Sequence, residues 1–228
     1  MNKFPNSKQT VESTNCGPFC LLNIYTHFQI PTTINKIQSE LNVSKDDPTY
    51  LAQLARNCLK HKLDSIILSS NPRIISPSWK DKTKKEIIVK LKEWVTLNNS
   101  NSWWLRTALF LLFYLQEGGN IKIVDLSTSI IDKYLEKGYL LLCCLDESWL
   151  WGKRKINKKA EYDDIKGYST GHCIVIYKHI NNDYFISDPY PTKIEEKEGL
   201  YKVNKQQLLV STLAWSQEIL AIKKTKAR

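Results

Sequence analysis

The first third of the chain carries apolar residues at the three- and four-residue spacing typical of amphipathic helices. We predict three helices here, over 16–28, 33–41 and 49–61. Pro18 suits the first turn of the first helix, where the missing N–H has no partner to lose, and Thr49 is the predicted N-cap of the third. The apolar run from Leu63 to Leu68 follows as a short strand.

The last third has a different pattern. The continuous apolar runs 140–145 and 219–222 predict buried strands, and 172–178 with 183–188 predicts a β-hairpin around Asn181–Asn182. A capped amphipathic helix is predicted over 127–137. Because helices come first and antiparallel strands later, we expect an α+β fold in which an N-terminal helix packs against a C-terminal antiparallel sheet.

Between these halves, 71–124 is less regular, with a basic helix at about 82–97 and an apolar helix near 103–115. We find no internal repeat and no flexible linker. We therefore expect one domain over 1–228, with a helical insertion at about 71–124. The basic helix and the Trp103–Trp104 pair suggest two alternatives, an exosite for an acidic partner or a helix pair packed on the core.

The charge balance is strongly basic, since 33 Lys and Arg residues face 23 Asp and Glu residues and leave a net charge of +10. The excess lies in 80–92, 153–159 and 223–228. Such segments are typical of solvated surface, and they would also attract an acidic protein substrate. No nucleic-acid-binding motif accompanies them, so nucleic acid is not an expected partner.

The cysteine content and the N-terminus indicate a compartment. Six cysteines, two of them adjacent at Cys143–Cys144, predict free thiols in a reducing environment rather than a disulfide scaffold. The N-terminus lacks the apolar core of a secretory signal. The stretch from Trp103 to Leu115 contains Arg106 and is shorter than the roughly 20 residues of a membrane span. We therefore expect a soluble, cytoplasmic protein with no membrane span.

Among the cysteines, Cys16 alone lies at a predicted helix start. There the unpaired N–H groups and the helix dipole stabilise a thiolate, which is the reactive form of cysteine. Cys20 is one turn further along the same helix and should face the core. Cys58, Cys143, Cys144 and Cys173 lie within predicted helices or strands, where a cysteine is usually a small buried hydrophobe.

Elimination among the four histidines leaves His172 as the partner base. His27 lies too far along the first helix from Cys16. His61 is flanked by lysines and is expected to be exposed. His179 is expected on the opposite face of its strand from His172.

The acid that orients His172 should lie on the neighbouring strand, and Asp188 ends the second arm of the hairpin. His172 and Asp188 share a face of the sheet only if the residue numbers of each cross-strand pair in the hairpin sum to an even number. A two-residue turn at Asn181–Asn182 would separate them, so we predict a loop of three or five residues. Cysteine, histidine and acid would then form the nucleophile, base and orienting group of covalent acyl transfer.

Three segments carry a resemblance to a known family: NCGP at 15–18, GHCIVI at 171–176 and ISDP at 186–189. Together they resemble the bacteriocin-processing (double-glycine leader) peptidases and their soluble homologues in the papain-like clan. The resemblance implies a papain-like fold, a triad of Cys16, His172 and Asp188, and a side-chain N–H from Gln9 toward the oxyanion beside the backbone N–H of Cys16.

The resemblance does not extend to substrate. Leader-processing members are usually fused to a transporter, and this sequence has no ATP-binding motif. We therefore transfer the chemistry and leave out the double-glycine specificity.

Three interpretations stay open from the residues. A cysteine peptidase would cleave a protein or peptide substrate, and a papain-like glutamine deamidase or transglutaminase-like enzyme would attack a side-chain amide through the same thioester. A basic non-catalytic binding protein would leave Cys16 incidental. A zinc site from Cys16, Cys20 and His27 lacks a fourth ligand, so we expect neither a metal nor a cofactor.

Overall fold

The computed structural model describes residues 3–98, 102–156 and 160–225; the ends of two predicted basic segments, 157–159 and 226–228, lie outside these ranges. The helices are α1 (Cys16–His27), α2 (Ile34–Leu41), α3 (Leu51–Lys60), α4 (Lys84–Leu97), α5 (Trp103–Gln116), α6 (Thr128–Glu136), α7 (Glu147–Trp151) and α8 (Lys205–Ala214). The strands are β1 (Leu63–Ser69), β2 (Asn120–Ile123), β3 (Leu140–Asp146), β4 (Gly171–Ile180), β5 (Asp183–Ser187), β6 (Leu200–Asn204) and β7 (Glu218–Lys224).

The strands described form one seven-stranded sheet in the order β2-β1-β7-β3-β4-β5-β6. The β1–β2 pair is parallel, and the other neighbours are antiparallel. Strand β3 lies at the centre, as its LLLCCLD sequence predicts, and every one of its residues is buried. This arrangement confirms the α+β class.

Helices cover both faces of the sheet, and the alternation of side chains along β3 and β4 divides the core in two. Cys144, Cys173 and Val175 pack with residues of α1, α3 and α5 on one face. Cys143 and Ile174 pack with α6 and α8 on the other. We call the first of these the thiol face, because it carries Cys144 and Cys173. The second is the histidine face, because His172 points to the same side of β4 as Ile174.

Helices α4 and α5 pack on α3, and their buried residues join the same core cluster as those of α1. Trp103 packs against the Tyr50 ring at 4.2 Å between centroids, and the Arg73 guanidinium lies 4.8 Å from the Trp104 ring. These contacts favour a helix pair packed on the core over an exosite. The insertion boundary at about 71–124 stays a prediction, although β2 ties its end to the sheet.

The hairpin loop predicted between β4 and β5 is wrong. Asn181–Asn182 is a two-residue turn, because Ile180 pairs with Asp183. A β-bulge at Tyr177 shifts the register, so that Ile176 pairs with Ile186. The residue numbers of the pairs beyond the bulge therefore sum to an even number, and His172 and Asp188 share a face of the sheet.

The same bulge overturns the prediction for His179. It moves His179 to the histidine face, where its Nδ1 lies 3.6 Å from Asp132 of α6. At seven residues along the strand it is still roughly 20 Å from His172, so it remains outside the site.

Several elements differ from the prediction. Helix α3 begins after Tyr50 rather than Thr49, because Gln53 Oε1 accepts the Tyr50 N–H at 3.2 Å. Strands β2 and β6 and helices α7 and α8 were not placed individually by the sequence pattern. No helix within the described ranges is both long and apolar enough to cross a bilayer.

Candidate active site

Cys16 is the first residue of α1 and is partly exposed, whereas Cys20 one turn later is fully buried. The first turn of α1 contains no acidic residue that would oppose a thiolate. Gly17 permits close approach of the helix to the next segment, since a Cβ there would lie 2.3 Å from Thr49 Oγ1. The N-terminus of α1, which carries the Cys16 sulfur, therefore packs closely against the segment that contains Thr49.

The segment before α1 is fastened to the end of β5. Asn6 Nδ2 donates to the Asp188 carbonyl oxygen at 2.9 Å, and the Gln9 backbone N–H donates to the Pro189 carbonyl oxygen at 2.9 Å. The pairing of β4 with β5 ends at Val175 and Ser187, so β5 leaves β4 before the ladder reaches His172. The start of α1 and the start of β4 meet where the two strands diverge.

His172 and Asp188 lie together at this point, as the sequence predicts. His172 Nε2 and Asp188 Oδ1 are 2.7 Å apart, and the side chains are 3% and 0% exposed. With Nε2 on the carboxylate, Nδ1 is the ring nitrogen that can face Cys16. Cys16 lies close enough to His172 for each residue to shift the pKa of the other. The structure therefore brings the three predicted residues together at one point.

Asp188 accepts three further hydrogen bonds that the sequence pattern did not reveal. Oδ1 accepts the Tyr190 backbone N–H at 2.9 Å, while Oδ2 accepts Trp151 Nε1–H at 3.2 Å and the Tyr201 hydroxyl at 2.7 Å. A buried carboxylate needs such donors, because burial without them costs several kcal/mol. Trp151 and Tyr201 are remote from Asp188 in sequence, so only the tertiary fold brings them together.

Aromatic rings and a lysine surround the histidine. The Trp151 and Tyr190 ring centroids lie 5.2 and 6.0 Å from that of His172. Lys155 Nζ is 3.0 Å from Glu147 Oε2 and 4.5 Å from the centroid of Tyr190. Lys155 belongs to the basic segment 153–159, which the sequence predicts to be surface, but its side chain is only 12% exposed. It packs against the rings of Trp151 and Tyr190.

The site shifts two pKa values in opposite directions. The Cys173 side chain lowers the pKa of Cys16 most; burial opposes this, and the hydrogen bond and charge of His172 bring the pKa well below its ordinary value. Burial alone would lower the pKa of His172, but the Asp188 charge and hydrogen bond, together with Cys16, raise it to about 10. Thiolate and imidazolium are therefore the favoured pair at neutral pH.

Gln9 lies in the same region but its side chain has a structural bond. Gln9 Nε2 donates to the Ser13 carbonyl oxygen at 2.8 Å, and the residue is 5% exposed. Its Oε1 is buried without a hydrogen-bond partner among the described residues. One N–H of the amide remains after the bond to Ser13, so a donor toward an oxyanion stays a prediction.

The other candidates lie elsewhere. His61 is not exposed as expected: its side chain is 12% exposed, with Nε2 2.8 Å from Glu40 Oε2 and the ring against Tyr25. His27 stacks on Phe4. Within the described ranges, no group of three or more His, Cys, Asp and Glu residues is arranged to hold a metal.

Cys173 is buried and faces away from His172, as the sequence predicts. The sequence pattern did not reveal its neighbours: its sulfur lies 2.6 Å from that of Cys144, and its side chain lowers the pKa of Cys16. The adjacency of His172 and Cys173 was the available signal.

Neither a protein-family model nor a curated protein matches the sequence. Among solved structures, the chain is similar to a C39-like peptidase from Bacillus anthracis, with a TM-score of 0.53 and 10% identity over 99% of this chain and 96% of that one. The peptidase domain of Streptococcus ComA, a bi-functional ABC transporter involved in a quorum sensing pathway, has a TM-score of 0.49 and 13% identity, covering 98% of this chain and 100% of that one.

At these identities the likeness is one of fold. The protein has the α+β fold of the papain-like C39 peptidases, as the sequence resemblance predicted.

Proposed function

We propose that the chain is a cysteine peptidase that hydrolyses peptide bonds of a protein or peptide through a thioester on Cys16. The observation that carries this proposal is the 2.7 Å contact of His172 Nε2 with Asp188 Oδ1, made where Cys16 begins α1 and has its pKa lowered by His172. A nucleophile, base and orienting acid at a helix N-terminus are the groups that acyl transfer requires. The peptidase fold supports an amide as the bond attacked.

The steps follow from the protonation states. The Cys16 thiolate attacks the carbonyl carbon, and the His172 imidazolium gives its proton to the leaving amine as the thioester forms. His172 then takes a proton from water, which attacks the thioester and releases the carboxylic acid and the thiolate. Asp188 keeps the ring oriented and stabilises its charge. The Cys16 backbone N–H and Gln9 Nε2 are the proposed donors to the oxyanion.

The test uses a mixture of peptides derived from a whole proteome, because the substrate is not identified. Mass spectrometry after incubation should find new termini with the unmodified chain and none with Cys16→Ala. Cys58→Ser is the matched control, since Cys58 is buried within α3 and away from the triad. Products of unchanged length with glutamine converted to glutamate would replace the peptidase by a deamidase.

A second measurement examines the nucleophile without any substrate. Iodoacetamide at pH 6 should alkylate Cys16 at least roughly tenfold faster than Cys58, since only the former is held as a thiolate. Equal rates for the two cysteines would contradict an activated nucleophile and would leave a non-catalytic binding protein as the better interpretation.

A further inference from the structure

Cys144 and Cys173 are direct partners in the antiparallel register of β3 and β4. Their sulfur atoms lie 2.6 Å apart, both residues are buried, and both are free thiols. Cross-strand partners have Cα atoms about 4.5–5.5 Å apart, which falls within the range that a disulfide spans. The pair can therefore be oxidised with little movement of the backbone.

The pair continues to the nucleophile. Cys20 Sγ lies 3.2 Å from the carbonyl oxygen of Cys173 and ties α1 to this part of β4. Cys16 packs against the core cluster that contains Cys173 and Cys144, and Cys173 is close enough to lower its pKa. The three thiols therefore lie in the order Cys16, Cys173, Cys144, from the partly exposed start of α1 to the buried cross-strand pair.

The three thiols differ in exposure and reactivity. Cys16 is partly exposed and has the lowered pKa, so peroxide, which oxidises the thiolate, reaches it first. The Cys144 and Cys16 side chains, followed by burial, raise the pKa of Cys173 well above its ordinary value, so it stays protonated until an oxidised partner is in contact. Cys143 is excluded because it points to the histidine face.

We propose that Cys16, Cys173 and Cys144 form a thiol–disulfide relay that moves oxidation by peroxide from the nucleophile to a buried Cys144–Cys173 disulfide. The relay rests on the proposed function only in that it needs Cys16 to be an activated thiolate. Its effect is to return the nucleophile to the reduced form after each oxidation. An enzyme with this device resists irreversible loss of its catalytic sulfur.

The steps balance with hydrogen peroxide as the oxidant. Cys16–SH and H₂O₂ give the sulfenic acid Cys16–SOH and water, and the Cys173 thiol displaces a second water to form the Cys16–Cys173 disulfide. The Cys144 thiolate then attacks the Cys173 sulfur, which forms the Cys144–Cys173 bond and releases Cys16 as a thiolate that takes up the proton lost by Cys144. A dithiol reductant reverses the disulfide.

A buried carboxyl lies beside the last thiol. Cys143 pairs with Ile219, so the next position on each strand places Glu218 beside Cys144. Ser216 Oγ lies within hydrogen-bond distance of the carbonyl oxygens of both Cys144 and Glu218. Glu218 is 5% exposed, so the thiol at this end of the relay has a buried carboxyl as its cross-strand neighbour.

Non-reducing peptide mapping tests the relay on the intact chain. The reduced protein is treated with a small excess of H₂O₂, blocked with N-ethylmaleimide and digested with trypsin. Lysines place Cys16, Cys144 and Cys173 in the separate peptides 9–36, 138–153 and 167–178. We expect a cross-link between 138–153 and 167–178, with Cys16 recovered as a maleimide adduct.

Variants assign each step. Cys144→Ser should stop the reaction with 9–36 linked to 167–178, and Cys173→Ser should leave Cys16 to accumulate as sulfinic or sulfonic acid. Cys16→Ala should slow the 138–153 to 167–178 cross-link by at least roughly tenfold. Cys20→Ser and Cys143→Ser, whose sulfurs share the peptides of Cys16 and Cys144, should leave the product pattern unchanged.

Each contrary outcome overturns the relay. Over-oxidation of Cys16 while Cys144 and Cys173 remain alkylatable would do so, and so would an equally fast cross-link in Cys16→Ala. If Cys16 also fails to outpace Cys58 toward iodoacetamide, the proposed peptidase falls with it. Cysteine-dependent peptide cleavage without any cross-link would sink the relay alone.

Discussion

Two buried carboxyl groups lie on opposite faces of the sheet, and their surroundings differ sharply. Asp188, next to His172, is fully buried and accepts four hydrogen bonds. Glu218, on the thiol face, accepts a hydrogen bond from Ser69 Oγ at 2.9 Å, and burial raises its pKa to about 7. The comparison teaches that the fold supplies several donors to the carboxyl that faces His172, whereas Glu218 receives the Ser69 hydroxyl and burial governs its pKa.

The largest effect is expected from Asp188→Asn, which keeps the shape but removes the charge that holds His172 protonated and oriented. Peptide hydrolysis should fall by up to roughly 10⁴-fold, measured as kcat/KM on a peptide found in the proteome mixture. Asp183→Asn is the matched control, because Asp183 flanks the turn and pairs with Lys202 at 3.2 Å. Activity within tenfold of the unmodified chain would remove Asp188 from the triad.

Glu218→Gln should change how stability depends on pH. A carboxyl whose pKa rises from 4.5 to about 7 on folding binds its proton more tightly in the folded state, so stability falls as pH rises between those values. The span corresponds to about 3 kcal/mol of unfolding free energy, which the amide should recover near pH 7. Urea unfolding at pH 4.5, 6 and 7.5 measures it.

An unchanged pH slope in the Glu218→Gln variant would mean that the carboxyl already ionises at its ordinary pH. Glu136→Gln is a suitable control, because that side chain is 66% exposed and should leave the slope as it is.

A smaller effect is expected from Tyr201→Phe, which removes one of the two donors to Asp188 Oδ2. A hydrogen bond to a charged group contributes about 2 kcal/mol, so unfolding free energy should fall by about that amount. Hydrolysis should fall by roughly tenfold because the carboxylate is held less firmly. Tyr168→Phe, at a residue 49% exposed, is the control; equal effects of the two changes would show that Oδ2 needs no second donor.

The smallest effect concerns the thiol face. Cys173→Ala removes the side chain that lowers the pKa of Cys16 most, so the pH at which iodoacetamide alkylation of Cys16 is half-maximal should move upward. His172 still favours the thiolate, and the rate at pH 6 should therefore fall by only about tenfold. Cys143→Ala, on the other face of β3, should leave the pH profile in place, and a Cys173→Ala profile identical to it would contradict the contact.

The sequence singles out Cys16, His172 and Asp188 because each has a strong local signal: a cysteine at a helix start, and a histidine and an aspartate at opposite ends of a hairpin. Trp151 and Tyr201 could not be found this way. They reach Asp188 through α7 and β6, elements that were not placed by pattern and whose side chains meet the site only after the chain has folded.

The bulge at Tyr177 escaped prediction for a different reason. The bulge adds one backbone residue to β4, and the apolar pattern of the strand continues through it. No residue type in this stretch therefore indicates a bulge. The Tyr177 ring stacks on Phe4, with centroids 4.4 Å apart, and that contact is made by a segment distant in sequence. Local pattern identifies the candidate residues, whereas the register that brings His172 and Asp188 together depends on a bulge that packs against a distant segment.

The paired turn and bulge have a consequence for how this hairpin can change in evolution. Losing the single codon for Tyr177 would leave Ile176 paired with Ile186, so the histidine and the aspartate would still share a face of the sheet. A codon added within the turn would likewise leave the pairs on the site side of the bulge in place. Homologous genes can therefore differ in the length of this hairpin by single codons without loss of the facing, a pattern that sequencing of natural variants can test.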